Sequence, residues 1–286
     1  MKEKLYTRSM KNGGEIVLHR ILKPASDTLG IPIIVAHGTL SNAEAVRDLA
    51  LHISSLGFDC WLLEWGGHGH SIPSNRWQNF EYPALNDTPT AIDEVLKITG
   101  HKQLFWLSHS GGGHLPLMHL ARNPDEQKKV AGIVTLGTQA TDAAQGLIDI
   151  LRAYYILIVS NIFGGVPQKF FPINIVEGEP TRLLSQWARW NLKQKWLGKD
   201  GFDYMANLSG LKMPFFMIAG GDDTIAPLSG CLKFYENIGS QDKSWLECSR
   251  AEGFSKDYNH GQLVRGSATK NEIFPKIAEW FIQRNR

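Results

Sequence analysis

Apolar residues along this chain fall into two rhythms, short unbroken runs and stripes spaced three and four apart. Leu5 to Ser9 and Glu15 to Ile21 read as strands, joined through Asn12-Gly13-Gly14 as a hairpin. Ile31 to Ala36 is a continuous run rich in β-branched residues, which fits a strand buried on both faces, as in a parallel sheet. Pro32 stands near its start, where a missing N–H costs least. Ser41 and Glu44 have the spacing of a capping box, Val46, Leu49, Ala50 and Ile53 follow at helical periodicity, and Gly57 supplies the stop. Cys60 to Leu63 is a further strand. Thr88-Pro89 reads as an N-cap with a first-turn proline, Ile92, Val95 and Leu96 form the apolar stripe, and Gly100 ends that helix. Gln103 to Leu107, Gly112 to Arg122 and Val130 to Leu136 continue as strand, helix, strand. Such alternation predicts the α/β class, with a mostly parallel sheet, flanking helices and right-handed crossovers.

The rhythm breaks between about Thr141 and Leu211. This block offers helix-like stretches, Ala144 to Val159 and Thr181 to Leu197, but no clear buried strand. In the second stretch Leu183, Trp187 and Trp190 are spaced to share a face, with Trp196 pointing away from it. Sheet signals resume at Pro214 to Ala219 and Ser244 to Cys248. A last amphipathic helix carries Ile273, Ile277, Trp280 and Phe281. The expected organisation is one core, 1–140 with 210–286, interrupted by a helical cap at 141–209.

Composition narrows the class. At 286 residues, 43% hydrophobic and 20% charged, the chain is an ordinary globular protein. A net charge of +2 gives no electrostatic footprint for nucleic acid or a membrane anchor. Cys60, Cys231 and Cys248 are an odd number, too dispersed for a metal spacing, and read as buried reduced thiols. No apolar stretch follows the charges of Met1 to Glu15, so no signal peptide is expected. The most apolar segment, Ala153 to Val166, is shorter than the roughly 20 residues a bilayer span needs. The expectation is a soluble, cytoplasmic protein with no transmembrane segment.

The candidate chemistry centres on Ser108-His109-Ser110-Gly111-Gly112, between a strand and a helix. So sharp a turn strains its central residue and lifts that side chain above the sheet, while small residues two positions either side let strand and helix pack closely. The N–H of Gly111 then faces a substrate oxygen at a helix N-terminus. Ser108 departs from the usual glycine but remains small. Pro116 is tolerable only in or near the first turn of the helix. A serine hydroxyl needs a base to remove its proton and a third group to orient that base. His260 lies in a loop after the final strand signal, where the carboxyl end of a sheet gathers catalytic groups. For the acid, Asp222 and Asp223 follow the strand ending at Ala219, and Asp142 follows the preceding strand. His37-Gly38-Thr39 follows the Ile31 to Ala36 strand and can supply a second oxyanion donor, the N–H of Thr39. His68 and His70, two apart, invite a metal reading, but no Asp-His continues the pattern and no metal site is expected. His109 and His114 read as packing or rim residues.

With these groups placed, the chain resembles the α/β-hydrolases over nearly its whole length, and the acid-lipase/carboxylesterase branch in three segments. His37-Gly38-Thr39-Leu40-Ser41 is similar to that branch's oxyanion loop. Asp87 to Gly112, with Ala91-Ile92-Asp93 and Thr99 to Leu104, resembles its helix-strand-nucleophile run. Tyr258-Asn259-His260 resembles its histidine loop. The resemblance implies ester hydrolysis through an acyl-enzyme on Ser110 without a cofactor, with a Ser110, Asp223, His260 triad and an oxyanion hole from Thr39 and Gly111. It favours Asp223 over Asp222 and Asp142. The region Trp187 to Trp196 does not match the lipase lid. The expected partner is a small-molecule ester. The apolar residues of the cap imply an apolar acyl group if they line a pocket, and imply nothing if they only pack the cap down. A thioesterase, amidase or carbon–carbon hydrolase would share the machinery. A non-catalytic binding protein on the same scaffold is the alternative of a different class.

Overall fold

A computed structural model describes residues 2–10, 13–22, 30–170 and 176–285. Eight strands form one sheet: β1 (Lys2–Ser9), β2 (Glu15–Leu22), β3 (Ile33–Ala36), β4 (Cys60–Glu64), β5 (Leu104–His109), β6 (Val130–Leu136), β7 (Phe215–Gly220) and β8 (Lys243–Cys248). Their spatial order is β1-β2-β4-β3-β5-β6-β7-β8. β1 and β2 pair antiparallel, and β2 meets β4 antiparallel; every other pair is parallel. Asn12 of the expected hairpin turn lies outside the described residues. The helices are α1 (Arg47–Ser55), α2 (Thr88–Thr99), α3 (Gly111–Arg122), α4 (Leu147–Phe163), α5 (Leu183–Lys193), α6 (Tyr204–Asn207), α7 (Leu228–Asn237), α8 (Ser267–Glu272) and α9 (Phe274–Arg284).

The central strands are apolar without interruption because both faces are covered. Successive side chains alternate across a strand, so Ile33 and Val35 of β3 join α1 and α9 in one core, with Leu49, Ile53, Ile277 and Phe281. Ile34 and Ala36 point the other way, into a core with Ile92 of α2, Leu115 of α3 and Phe234 of α7. Between β6 and β7 the chain leaves the sheet for α4, α5 and α6 and two isolated bridges, Val166 with Glu179 and Leu197 with Asp203.

Four local expectations are corrected. The first helical turn is capped by Asn42, whose Oδ1 accepts from the N–H of Glu44 at 3.0 Å, and not by Ser41, whose hydroxyl is buried without a partner. Thr88 is not an N-cap. Helical geometry begins earlier and runs through a π-helical segment, Pro83–Asp87, and the Thr88 hydroxyl donates to the Pro83 carbonyl at 3.1 Å. The widened turn falls just before Pro89, which has no N–H to return to the preceding turn. Pro116 sits in the interior of α3, where it frees the carbonyl of Gly112. The indole N–H of Trp106 donates to that carbonyl at 3.3 Å and replaces the lost bond. Trp196 lies beyond α5 and does not point away. Gln194 takes a left-handed turn (φ 50°), and Trp196 returns to the buried aromatic group of His114, Trp190, Tyr204 and Phe234.

The π-helical segment ends on Asp87, which is buried and accepts the N–H of Gly66 at 2.8 Å. Burial pushes its carboxyl up from 3.8 to about 6, against the pull of that hydrogen bond and of His68. Between these values the folded state holds a proton that the unfolded chain has released, so stability falls as pH rises through that window. Each pKa unit is worth about 1.4 kcal/mol, so ionising Asp87 costs on the order of 2–3 kcal/mol. Asp87→Asn keeps an oxygen for Gly66 and removes the charge. It is expected to equal the wild type in denaturant stability near pH 4 and to exceed it by about that amount at pH 8. Parallel stability profiles across the range would contradict this.

Candidate active site

The site is built at the carboxyl ends of β3, β5 and β7 and in the loop after β8. Ser110 follows β5 directly and has φ 52° and ψ −122°, a conformation that side chains other than glycine rarely adopt. Tight packing enforces it. Its N–H donates to the Leu136 carbonyl at 2.8 Å, and its own carbonyl accepts the Thr138 hydroxyl at 3.0 Å. Gly112 is required by the close approach of the end of β3. A Cβ on Gly112 would lie 2.8 Å from the Ala36 carbonyl oxygen and closer still to that of His37.

His260 stands between the serine and an acid. Its Nε2 is 2.8 Å from Ser110 Oγ, and its Nδ1 is 2.7 Å from Asp223 Oδ2. Asp223 has no exposed side-chain surface, and its Oδ1 accepts the N–H groups of Ile225 and Ala226 at 2.9 and 2.7 Å. The carboxylate therefore accepts from Nδ1–H, which leaves Nε2 free to receive the serine proton. Asp222 is exposed. Asp142 is engaged elsewhere, by Lys233 at 2.6 Å and Thr141 at 2.7 Å. Of the three candidate acids, the structure brings only Asp223 to His260.

The two expected oxyanion donors are also neighbours. A Cβ on Gly111 would lie 3.1 Å from the Thr39 nitrogen. As the first residue of α3, Gly111 has no intrahelical acceptor for its N–H, and the N–H of Thr39 finds none among the described residues. Gly38 lets the loop approach: its Cβ would meet Ser110 Cβ at 2.8 Å. His37 anchors the loop from below, its Nδ1–H donating to the Gly38 carbonyl at 2.7 Å. Burial, and then the nearby His68, hold the His37 imidazole down at about 3, so it is neutral.

His109, read from the sequence as a packing or rim residue, and Gly137, which that reading passed over, both support the site. His109 is buried and has its pKa pushed well below the ordinary histidine value, by burial first and then by the adjacent His260. It is neutral, and its Nε2–H donates to the backbone carbonyl of His260 at 3.0 Å, which fixes the loop that carries the base. Gly137, at φ 60°, sits against the Asp223–His260 contact, where a Cβ would lie 3.1 Å from Asp223 Oδ2. His109 adjoins the elbow, but its reach to residue 260 is a tertiary fact. His114 is different: it is buried among Phe80, Trp190, Trp196 and Phe234 and held neutral by burial at about 3.

Segment 141–209 is tied to the oxyanion loop. Leu40 packs on Val159, Val166 and Leu184, the Leu40 carbonyl accepts the Glu177 N–H at 3.4 Å, and Asn42 donates to Glu177 at 3.0 Å. His68 Nε2 lies 3.0 Å from Glu179 Oε2 with both side chains fully buried. Burial alone would lower the pKa of His68, but the Glu179 carboxylate outweighs it and raises it. The outer face of α4 is apolar and exposed, with Leu147, Ile148, Leu151, Tyr154, Ile158 and Ile162 each half or more accessible. On the far side of α5 lies a cleft of about 290 Å³ lined by Arg182, Arg189, Lys193, Lys195 and Lys199. None of these five is ion-paired among the described residues. Its wall residue Trp190 packs on Phe80, which contacts the Gly111 position.

Comparison with known proteins places the fold that carries this arrangement. Residues 31–175 match the sequence model of the alpha/beta hydrolase fold, half of the chain. The chain belongs to the alpha/beta hydrolase family. As such it is similar to the human gastric triacylglycerol lipase, 27% identical over 161 residues, which is 51% of this chain and 40% of that lipase. The chain thus spans less than half the length of that relative. A monoacylglycerol lipase from Mycolicibacterium smegmatis is 21% identical over 245 residues, covering 80% of this hydrolase and 83% of the relative. Among solved structures, a monoglyceride lipase of Saccharomyces cerevisiae, bound to a substrate analogue, superposes with a TM-score of 0.71 at 16% identity. It covers 99% of this chain and 95% of that one, a likeness of fold. Both curated relatives are lipases by name. Among the described residues no helix is long and apolar enough to cross a membrane.

Proposed function

We propose that the protein is a serine carboxylesterase of lipase-like character, acting through an acyl-enzyme on Ser110. One observation carries the reading: a single imidazole lies within hydrogen-bonding distance of both a strained serine hydroxyl and a buried carboxylate. In the proposed reaction His260 takes the Ser110 proton as the hydroxyl attacks the ester carbonyl. Asp223 holds the imidazole in its Nδ1–H tautomer and stabilises the imidazolium. The N–H groups of Gly111 and Thr39 receive the oxyanion, each such donor being worth about a hundred- to a thousandfold in rate. His260 then protonates the departing alcohol, and water repeats the cycle on the acyl-serine. Segment 141–209 serves as a cap over this chemistry.

The apolar face of α4 bears on the substrate. Contiguous exposed apolar surface marks an interaction site, and a helix of this kind can lie in a lipid interface. The proposed substrate is therefore an ester with an apolar acyl chain, presented at an interface. Each apolar side chain buried contributes about 1.5 kcal/mol or more. The double variant Leu151→Glu, Ile158→Glu is thus expected to lose about tenfold or more in rate on an emulsified long-chain ester and to keep its rate on a soluble short-chain one. Equal losses on both substrates would contradict the role.

The basic cleft favours a second reading, a thioesterase whose acyl group is carried on a phosphate-bearing thiol. Five cations without acidic partners among the described residues line one cleft and favour an anion, and its wall residue Trp190 reaches the Gly111 position through Phe80. One panel separates the two readings: kcat/KM for p-nitrophenyl esters of rising chain length against acyl-coenzyme A thioesters of equal acyl length. The esterase reading requires the esters to be preferred. A preference for the thioesters, abolished by Lys193→Glu with Lys195→Glu, would replace it.

A further inference from the structure

The spacing His68-Gly69-His70 looks like a metal pair, but the fold sends the two imidazoles in different directions. His68 turns inward to Glu179, while His70 turns back to the sheet and meets Glu64 of β4 and His19 of β2. His19 comes from β2, Glu64 is the last residue of β4, and His70 lies in the loop that follows. Glu64 Oε2 is 3.1 Å from His19 Nε2 and 3.1 Å from His70 Nδ1. One ligand atom from each of the three residues lies within 4.8 Å of the other two. We propose that His19, Glu64 and His70 form a binding site for a divalent zinc-class ion.

The geometry supports this in three ways. Zinc takes nitrogen and carboxylate oxygen at about 2.0–2.2 Å in tetrahedral sites, which places ligand atoms about 3.3 Å apart, close to the two 3.1 Å separations. His19 is buried, its side chain 5% exposed, and its Nε2 makes no hydrogen bond although Glu64 Oε2 is so near. A metal ion held between them would supply the partner this nitrogen lacks among the described residues. Behind His19, Glu3 Oε2 lies 3.8 Å from Nδ1 and is itself paired with Arg47. At that distance the carboxylate makes no hydrogen bond to Nδ1, but its charge favours a cation held by the imidazole.

The surroundings hold the ligands in place. The backbone N–H of His70 donates to Glu64 Oε2 at 2.8 Å. Gly69, at φ 61°, lets the loop fold that closely, because a Cβ there would collide with the Glu64 carboxylate. Two imidazoles with one carboxylate select a borderline ion over magnesium or calcium, which take oxygen ligands. None of Ser110, Asp223 and His260 takes part. The ion's role is structural. It pins the loop from which His68 and the Gly69 N–H reach Glu179 and Glu177, and so steadies segment 141–209 from β2 and β4.

The test uses the full chain freed of metal by a chelator and titrated with ZnCl₂ or CoCl₂. Binding is read by calorimetry, by the visible absorption of tetrahedral Co²⁺ and by thermal unfolding. His70 is 70% exposed, so His70→Ala removes a ligand with little loss of packing. The wild type is expected to bind one ion, to develop the cobalt bands and to unfold at a higher temperature with zinc. His70→Ala should weaken binding by on the order of 100-fold and lose both other signals, while His101→Ala, an exposed histidine elsewhere, should retain all three. A wild type that takes up no ion, or a His70→Ala variant that binds as the wild type does, would overturn the site.

Discussion

Replacing Ser110 by alanine is expected to reduce kcat for ester hydrolysis by about a millionfold, with circular dichroism and unfolding midpoint close to the wild type. The hydroxyl is the only group this substitution removes. The backbone strain stays, because alanine at φ 52° meets the same restriction as serine. Ser110→Gly separates the two effects. It should be equally inactive, yet more stable than Ser110→Ala by about 1–2 kcal/mol. Relief of a strained φ/ψ is worth about 1–3 kcal/mol, and the greater freedom of unfolded glycine offsets part of that. Equal stability of the two variants would mean that the turn carries no strain; residual activity above a percent would remove Ser110 from the chemistry.

Asp223→Asn is expected to cost about 10⁴ in kcat with little change in KM. The surroundings dictate why. Oδ1 of Asp223 accepts two backbone N–H groups, from Ile225 and Ala226, so an asparagine must leave its oxygen there and turn its NH₂ toward His260. The imidazole then accepts at Nδ1 and carries its proton on Nε2, facing a hydroxyl it can no longer deprotonate. Asp222→Asn, at an exposed position, should leave kcat unchanged. Loss of activity in that variant, with Asp223→Asn active, would transfer the role to Asp222.

Much of this was legible in the chain because the signals are local. Unbroken β-branched runs such as Ile33 to Ala36 need both faces of a sheet covered, and the strand-to-helix turn at Ser110 is written in five consecutive residues. The mostly parallel sheet with flanking helices follows from the first, and the placing of the serine from the second. What was not legible depends on direction or on distant partners. Asp222 and Asp223 are equivalent as letters. The turn after β7 sends one to solvent and the other to His260, and only the resemblance to acid lipases separated them beforehand. His68 and His70 share a spacing but not a direction: the partner of one lies more than a hundred residues away, and those of the other lie on β4 and β2. Pro116 is unfavourable by local rules and is compensated by an indole from the preceding strand. The Ile and Leu residues of segment 141–209, expected either to line an acyl pocket or to pack that segment onto the sheet core, largely face outward along α4, a choice that periodicity cannot make because the helix is apolar on most sides.

The nucleophile is tested most directly by reacting the protein with a fluorophosphonate and mapping the adduct by mass spectrometry. The account predicts one phosphonyl group per chain, on Ser110, absent from Ser110→Ala and formed in parallel with loss of esterase activity. An adduct on another residue, or none in a protein that still hydrolyses p-nitrophenyl esters, would contradict it.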